Sequence, residues 1–227
     1  MLSYREGKCS VCRTIFMESI ETKIQEEYSD AMSPFERIIK RIFDVFVALV
    51  GIIVLFPLFV IIYVIIWFTG GEAIYKQKRI GYKGKSFNIY KFRTMYKDAE
   101  KNGIPRTEEE RREQMTCVGR FLRDYHLDEL PQLLNVFKGD MSFVGPRPER
   151  KYFIDRIMEI NPDYEYIYMM RPGLTSMATI YNGYTDTMEK MLIRLQMDLD
   201  YLKNRSLWLD AKIVFTTVRF IIYGKKF

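Results

Sequence analysis

The sequence contains little cysteine and almost no histidine. Three cysteines and one histidine occur among 227 residues, so a disulfide framework is excluded for a chain of this size. Cys9 and Cys12 form one Cys-x-x-Cys pair, but a structural zinc site needs four ligands. The other candidates, Cys117 and His126, lie far along the chain. Thiol chemistry and zinc binding are therefore disfavoured, and the low cysteine content suits a reducing compartment.

Several other features are also missing. The first forty residues contain no apolar run, which argues against a cleavable signal peptide, and neither internal repeats nor low-complexity tracts occur. Hydrophobic residues make up 48% and charged residues 28%, which excludes wholesale disorder. The net charge of +6 suits an anionic partner such as nucleic acid, a lipid surface or a phosphorylated substrate. A mildly basic soluble protein is equally compatible with this charge.

One long hydrophobic run follows a predicted helix start at Ser33-Pro34, where serine suits the cap and Glu36 the first turn. The run covers positions 45–68, VFVALVGIIVLFPLFVIIYVIIWF, 24 residues without a charge. As a helix it would be about 36 Å long, more than the roughly 30 Å hydrocarbon core of a bilayer. Core helices are seldom apolar on every face over this length, so the run predicts membrane contact.

Pro57 divides this run into two pieces of about 17 Å each, roughly half the thickness of the hydrocarbon core. Lysine and arginine flank the run on both sides, and cytoplasmic loops attract these residues, so both ends are expected on the cytoplasmic side. We predict a re-entrant membrane helix broken at Pro57. A kinked spanning helix is the alternative, because proline is tolerated within membrane helices. The flanking cations are Arg37, Lys40 and Arg41 upstream and Lys76, Lys78, Arg79, Lys83 and Lys85 downstream.

The sequence beyond position 69 has the composition of a soluble domain. Ala73–Met95 alternates apolar residues with cations around two glycines and predicts short strands joined by a turn. The charged segment Lys97–Gln114 predicts a loop with some helix, and RPGLT, Arg171–Thr175, predicts a turn.

Helices are predicted at both ends of the chain. A helix is plausible over Thr14–Tyr28, and Leu207–Tyr223 is an apolar segment interrupted by three charges, typical of a helix at a bilayer surface. A helix packed in the domain core is an equal alternative for Leu207–Tyr223. A further helix has an apolar stripe formed by Met188, Met191, Leu192, Leu195 and Leu199.

Two adjacent acids occur in the segment LDELPQLLNVFKG. Asp128 is predicted to cap a helix whose first turn is Glu129-Leu130-Pro131 and which ends at Lys138 and Gly139. Both acids would then lie at a helix N-terminus, a place that favours anions and bound phosphate. Acids in a first turn are also ordinary capping residues, so this pattern alone is weak. The buried face is predicted to consist of Leu130, Leu133, Leu134 and Phe137.

Arg147 lies between two prolines in the segment GPRP. Pro146 and Pro148 restrict the backbone around it, and a guanidinium held in this way can bind phosphate bidentately with little loss of entropy. Three further cations are predicted to complete the pocket, although each alone is typical of a surface charge. Together they indicate a diphosphate substrate. These cations are Lys91, Arg93 and Arg123.

These motifs resemble those of the monotopic phosphoglycosyl transferases, the bacterial sugar transferase family. The resemblance extends from KRIFD, Lys40–Asp44, through the proline-containing apolar run, KQKRIGYKGKSFNIYKFRTM, LDELPQLLNVFKGDMSFVGPRP and RPGLT. It implies transfer of sugar 1-phosphate from a UDP-sugar to polyprenyl (undecaprenyl) phosphate, which initiates bacterial surface glycoconjugate synthesis. It also implies a place at the cytoplasmic face of the bacterial inner membrane, in contact with lipids and without nucleic acid.

The resemblance also implies roles for individual residues. Asp128 would attack the sugar-bearing phosphorus and form a phosphosugar-aspartyl intermediate, while Glu129 would hold metal or manage a proton. Mg²⁺ is the implied cofactor, with both acids as its ligands. The implied phosphate- and nucleotide-binding set is Arg147, Pro146, Pro148, Lys91, Arg93 and Arg123.

The predicted fold is α+β and predominantly helical. It comprises a polar extension over 1–35, the re-entrant helix-break-helix over 36–68, and a cytoplasmic catalytic domain over 69–227 with short strands and amphipathic interfacial helices. Two other functions are compatible with the sequence: a membrane-tethered basic binding module without catalysis, and a phosphohydrolase that uses water as acceptor. The sugar is not predicted, because Ser176–Gly183, a segment expected near it, departs from the family pattern. A homodimer is compatible with the sequence.

Overall fold

The computed structural model describes residues 28–69, 72–96, 112–183, 185 and 187–223. The Cys9–Cys12 pair, the proposed helix before Tyr28 and most of Lys97–Gln114 lie outside these residues. Within them the protein is mostly helical, with a few short strands, which agrees with the predicted α+β class. The helices are α1 Pro34–Phe68, α2 Cys117–Asp124, α3 Gln132–Lys138, α4 Lys151–Ile160, α5 Met177–Asn182, α6 Met188–Asn204 and α7 Leu207–Ile222; the strands are β1 Ile74–Ile80, β2 Ser86–Phe92, β3 Ser142–Val144 and β4 Gly173–Thr175.

Helix α1 begins as predicted and then continues further than predicted. The Ser33 side chain accepts from the Glu36 amide, the Glu36 side chain accepts from the Ser33 amide, and Pro34 is the first helical residue. The helix runs on to Phe68 with Pro57 inside it, so the expected break in helical structure at Pro57 is not seen. Proline removes only one backbone donor, and an apolar helix can tolerate that loss. The re-entrant path itself stays a prediction.

Both halves of α1 pack against the rest of the molecule. In the first half Ala48 is completely buried in an apolar cluster with Val136 of α3. In the second half Ile62 and Ile66 are buried in a cluster with residues of β2 and α2. Large apolar side chains are exposed along the whole helix, and those in its middle include Ile53, Val54 and Phe56.

Polar contacts fasten the start of α1 to the domain. Arg41 donates from Nη1 to the Val136 carbonyl at 2.6 Å and from Nη2 to the Phe137 carbonyl at 2.9 Å. Two further links are the Lys40–Asp210 ion pair, at 2.5 Å, and the hydrogen bond from the Phe143 amide to the buried Asp44 carboxylate, at 3.2 Å. Helix α1 is therefore a built-in part of the domain and not a separate anchor.

The strands form two small sheets. β1 and β2 pair antiparallel around a turn at Tyr82–Gly84, which confirms the prediction for Ala73–Met95. β3 and β4 pair in parallel, with Ser142 opposite Gly173. The prediction that Arg171–Thr175 is only a turn is therefore wrong, because Gly173–Thr175 of that segment is strand β4.

The main apolar core surrounds α6. Leu195 and Leu199 are buried in it, and the rest of the predicted stripe packs partly buried against it, which confirms that stripe. Helix α7 supports both interpretations of Leu207–Tyr223. Its Ile213 is completely buried in this core, whereas Trp208 and Phe215 on its other side are 81% and 71% exposed.

Candidate active site

The two acids lie in a separate turn before α3. Leu127–Glu129 form a 3₁₀ turn, and α3 begins only at Gln132, with Pro131 as its N-cap residue. The prediction that Asp128 caps the helix is therefore wrong. A capping carboxylate needs the amide two or three residues ahead, and the residue three ahead is Pro131, which has no amide hydrogen.

The buried face of α3 also differs from the predicted one. Leu133 is buried as expected, but Leu134 and Phe137 are 38% and 42% exposed. Asn135 is fully buried instead, because its side chain accepts from the Tyr90 amide at 3.0 Å and donates to the Asn88 carbonyl at 2.7 Å. A hydrophobic pattern cannot reveal such a contact, since the buried residue is polar. The predicted end of the helix is confirmed: Gly139 follows Lys138 with φ 99°.

The turn that carries the acids packs on β2, on α2 and on an apolar cluster to which α1 contributes. Leu127 and Leu130, on either side of the acids, contact the apolar cluster that contains Ile62 and Ile66. His126, at the start of the turn, has a positive φ of 55° and is exposed. Through this cluster the turn with the acids is connected to the hydrophobic helix that was predicted to enter the membrane.

Glu129 binds two of the predicted cations through one oxygen. Its Oε1 lies 2.7 Å from Lys91 Nζ and 3.2 Å from Arg147 Nη2. Burial favours the neutral form of Glu129, but the charges of Lys91 and Arg147 outweigh it and hold the pKa of this carboxyl well below its usual range. Glu129 is therefore ionised, and it joins residues from β2, the acidic turn and the GPRP segment.

Asp128 has a different environment. Its side chain is buried, and its Oδ1 accepts no hydrogen bond from any of the described residues. Burial raises the pKa of Asp128; the charge of Lys91 opposes this, and the charge of Glu129 adds to it. Two neighbouring carboxyls with pKa values moved in opposite directions are a common feature of catalytic pairs.

The remaining predicted cations are Arg123 and Arg93. The charge of Arg123 lowers the pKa of Asp128, which places Arg123 within electrostatic range. Arg93 pairs with the exposed Glu72 at 3.4 Å and is not brought to Glu129 by any contact described among these residues. The structure therefore brings Lys91 and Arg147 together on Glu129, gives Arg123 an electrostatic effect on Asp128, and pairs Arg93 with Glu72.

The segment that carries Arg147 is fastened through its carbonyls. The Pro146 carbonyl accepts from the Gly173 amide at 2.9 Å, and the Pro148 carbonyl accepts from Arg79 Nη1 at 3.1 Å. Sequence reasoning missed both Arg79 and Glu149, which form an ion pair beside this segment at 3.5 Å. The position of Glu149 directly after GPRP could have drawn attention to it, but a single glutamate at that position does not by itself indicate a role.

Residues 35–224 match the family model described as bacterial sugar transferase. The chain is 38% identical over 193 residues to the UDP-N-acetylgalactosamine-undecaprenyl-phosphate N-acetylgalactosaminephosphotransferase of Aeromonas hydrophila, an alignment of 85% of this chain and 45% of that protein. It is 36% identical over 194 residues to the UDP-glucose:undecaprenyl-phosphate glucose-1-phosphate transferase of Escherichia coli (strain K12), covering 84% and 42%. It is 37% identical to the exopolysaccharide production protein ExoY of Sinorhizobium fredii (strain NBRC 101917 / NGR234), covering 83% of this chain and 87% of that protein. The chain thus spans less than half the length of the first two proteins and most of the third.

Proposed function

The chain belongs to the bacterial sugar transferase family, and we propose from this that it transfers sugar 1-phosphate from a UDP-sugar to undecaprenyl phosphate. The relatives from Aeromonas and Escherichia are named for such transfers. The observation that carries the proposal to this chain is the position of the acids. Asp128 and Glu129 lie in a turn that packs on the apolar cluster containing Ile62 and Ile66 of α1, and they lie beside two cations, where a lipid-linked phosphate and an anionic donor could meet.

We propose that Asp128 is the nucleophile of this reaction. Its carboxylate would attack the phosphorus that bears the sugar, the bond between the two phosphates would break, and uridine monophosphate would leave. The phosphate of the lipid would then displace Asp128 from the sugar phosphate. The buried Oδ1 without a donor supports this role, because no described group competes for its lone pairs.

Arg147 and Lys91 would bind the phosphates of the donor. Both already contact a carboxylate oxygen, and phosphate oxygens present similar acceptors to a guanidinium and an ammonium group. Glu129 would hold these two cations in place before the donor binds. Arg123 would add positive charge near Asp128.

The residues present fit a Mg²⁺ ion. Among the described residues no group of three or more His, Cys, Asp and Glu side chains could hold a metal by itself. Mg²⁺ commonly uses one or two carboxylates together with substrate phosphates and water, and the orphaned Oδ1 of Asp128 with the adjacent Glu129 supplies such a pair. When bound, the ion would neutralise charge on the diphosphate.

We also propose that α1, bent at Pro57 within the bilayer, enters the cytoplasmic leaflet and returns to the same side. Ala48 and Ile66 contact the same domain although they lie about 27 Å apart along the helix. A straight spanning helix would place these contacts on opposite faces of the bilayer. The exposed centre around Phe56 and Pro57 would be the deepest part, and the apolar side of α7 with Trp208 would lie at the bilayer surface.

A labelling experiment tests this path. Single cysteines at Arg37 and Thr69, in a chain whose natural cysteines are replaced by serine, should both resist a membrane-impermeant maleimide added to intact cells. Both should react after the cells are permeabilised, which is the control for accessibility. Labelling of either position from outside would contradict the re-entrant path and favour a spanning helix.

The activity is tested by the release of uridine monophosphate. Purified protein in detergent is incubated with each member of a panel of UDP-sugars, with and without undecaprenyl phosphate. We expect turnover only with the lipid, and a lipid product that carries the sugar and a diphosphate. Sustained release without lipid would identify a phosphohydrolase, and no release with any donor would favour a binding module.

The pH dependence should report on Asp128. Because burial raises its pKa and attack requires the ionised form, kcat/KM should fall on acidification at a pH above the ordinary aspartate value of about 4. The charge of Lys91 lowers this pKa, so Lys91→Met should move the acid limb to higher pH. Lys138→Met, which removes an exposed lysine paired with Tyr90, is the control and should not move it. An acid limb that is the same in Lys91→Met and wild type would contradict this assignment.

A further inference from the structure

Glu149 lies between two buried guanidinium groups, two residues after Arg147. Its Oε1 is 3.0 Å from Arg194 Nη1, and its Oε2 is 3.5 Å from Arg79 Nη1. Arg79 comes from β1 and Arg194 from α6, so Glu149 joins two elements that are distant in the sequence. None of the three side chains is more than 16% exposed.

The GPRP segment needs this kind of support because of its prolines. Pro146 and Pro148 have no amide hydrogen, so the segment is fastened mainly by groups that donate to its carbonyls. Arg79 donates to the Pro148 carbonyl at 3.1 Å, and the Ile80 amide donates to the Glu149 carbonyl at 3.3 Å. The Glu149 side chain pairs with the same nitrogen of Arg79, Nη1, at 3.5 Å. One ion pair thus supports the backbone immediately after Arg147.

Arg194 extends the support to a second segment. Its Nη2 donates to the carbonyl of Gly183 at 3.2 Å, while its Nη1 donates to Glu149. Gly183 has φ 59° and ψ −144°, a conformation suited to glycine, and it ends the segment Ser176–Gly183 that was expected near the sugar. Arg194 therefore connects that segment with the one that carries Arg147.

The charges around Glu149 would repel one another without it. Burial lowers the pKa of both Arg79 and Arg194, Glu149 opposes this effect, and the charge of Arg147 adds to it. Arg147 is thus close enough for its charge to lower the pKa of both guanidinium groups. Loss of Glu149 would leave two buried cations behind Arg147 without their shared partner.

We propose that Glu149, held by Arg79 and Arg194, is a positioning residue that sets the place of Arg147 for binding the diphosphate of the donor. This inference rests on the proposed function. It predicts the opposite change in donor affinity from the one that charge alone would produce. Removing a negative charge near an anionic donor should strengthen binding, whereas misplacing Arg147 should weaken it.

Two substitutions separate these effects. Glu149→Gln removes the charge, and Glu149→Asp keeps it but shortens the side chain by one methylene. We expect each to raise the KM for the UDP-sugar and the Kd for UDP by about tenfold, with a smaller change in kcat, since small misplacements of binding groups have effects of this order. The Kd is measured by calorimetry on the full chain with UDP as the probe.

The matched control is Asp30→Asn. Asp30 also lies between two arginines, with its Oδ1 2.6 Å from Arg205 Nε and its Oδ2 3.0 Å from Arg37 Nη1, but it belongs to another part of the molecule. It should lower thermal stability without changing the KM or the Kd. The KM and Kd values of all variants are compared at temperatures where the same fraction of each protein is folded, so that a general loss of stability does not affect the comparison.

The possible results separate the positioning role of Glu149 from the proposed function of the protein. Tighter UDP binding by Glu149→Gln, or a wild-type KM and Kd in Glu149→Asp, would overturn the positioning role and leave the proposed function intact. A wild-type protein that neither binds UDP nor releases uridine monophosphate from a UDP-sugar would overturn the proposed function itself, and with it this inference.

Discussion

Asp128→Asn should abolish turnover, with a loss on the order of 10³-fold or more, because an amide cannot act as the nucleophile. The variant should fold at least as well as wild type. Burial raises the pKa of Asp128, so the charged carboxylate is less stable in the folded protein than in water, and a neutral amide removes that cost. Uridine monophosphate release and the thermal unfolding midpoint are the two measurements.

A neighbouring acid supplies the control. Asp124→Asn makes the same change at an exposed residue at the end of α2 and should leave both rate and stability near wild type. Mass spectrometry of wild-type protein incubated with donor alone should show added sugar-phosphate mass on Asp128 and nowhere else. An adduct on another residue, or reaction only when donor and lipid are present together, would rule out the covalent scheme.

Gly145→Ala should damage the fold and the activity together. A Cβ on Gly145 would lie 2.2 Å from the Arg171 carbonyl oxygen and 3.1 Å from the Gly173 nitrogen. These are backbone atoms of the segment that pairs with β3, so they cannot move aside as a flexible side chain could. We expect a loss of about 3 kcal/mol or more in the free energy of unfolding. The displacement would reach Arg147, two residues further on, and raise the KM for the donor.

A second glycine shows whether this effect is specific. Gly84 has φ 67°, but a Cβ there would meet only a Tyr168 side-chain carbon at 3.9 Å. Gly84→Asn should therefore cost about 1 kcal/mol, the strain of a left-handed residue alone. Chemical denaturation in detergent compares the two variants. If the Gly145→Ala and Gly84→Asn variants had equal stabilities and equal KM values for the donor, the close approach of Gly145 to the Arg171–Gly173 backbone would not be the cause of the expected loss.

Local features of the fold could be predicted well from the sequence. The helix start at Ser33-Pro34, the β1–β2 hairpin and the Gly139 helix end all depend on residues near one another in the chain. Short-range hydrogen bonding and steric preferences decide such features, and the sequence displays them directly. The predictions that were wrong, such as the buried face of α3, concerned residues whose environment depends on contacts with distant parts of the chain.

The site shows the same division. Arg147 and Lys91 were predicted to share a pocket, and both bind Glu129, but nothing in the sequence indicated that they share one oxygen. Arg93 follows Lys91 by two residues, just beyond the end of β2; it was predicted with Lys91 and instead pairs with Glu72. Only the packing of β2 against the acidic turn decides which cation reaches the acids.

The sequence by itself determined the long apolar helix, the paired acids and the proline-flanked arginine, because these features follow directly from composition and spacing. The tertiary structure alone decided that the acids lie in a 3₁₀ turn against a cluster shared by α1, β2 and α2, that Asp128 is buried with an oxygen lacking a donor, and that Glu149 joins β1 to α6. Burial and ion pairing between distant residues depend on which surfaces meet, and that is settled only when the whole chain is packed.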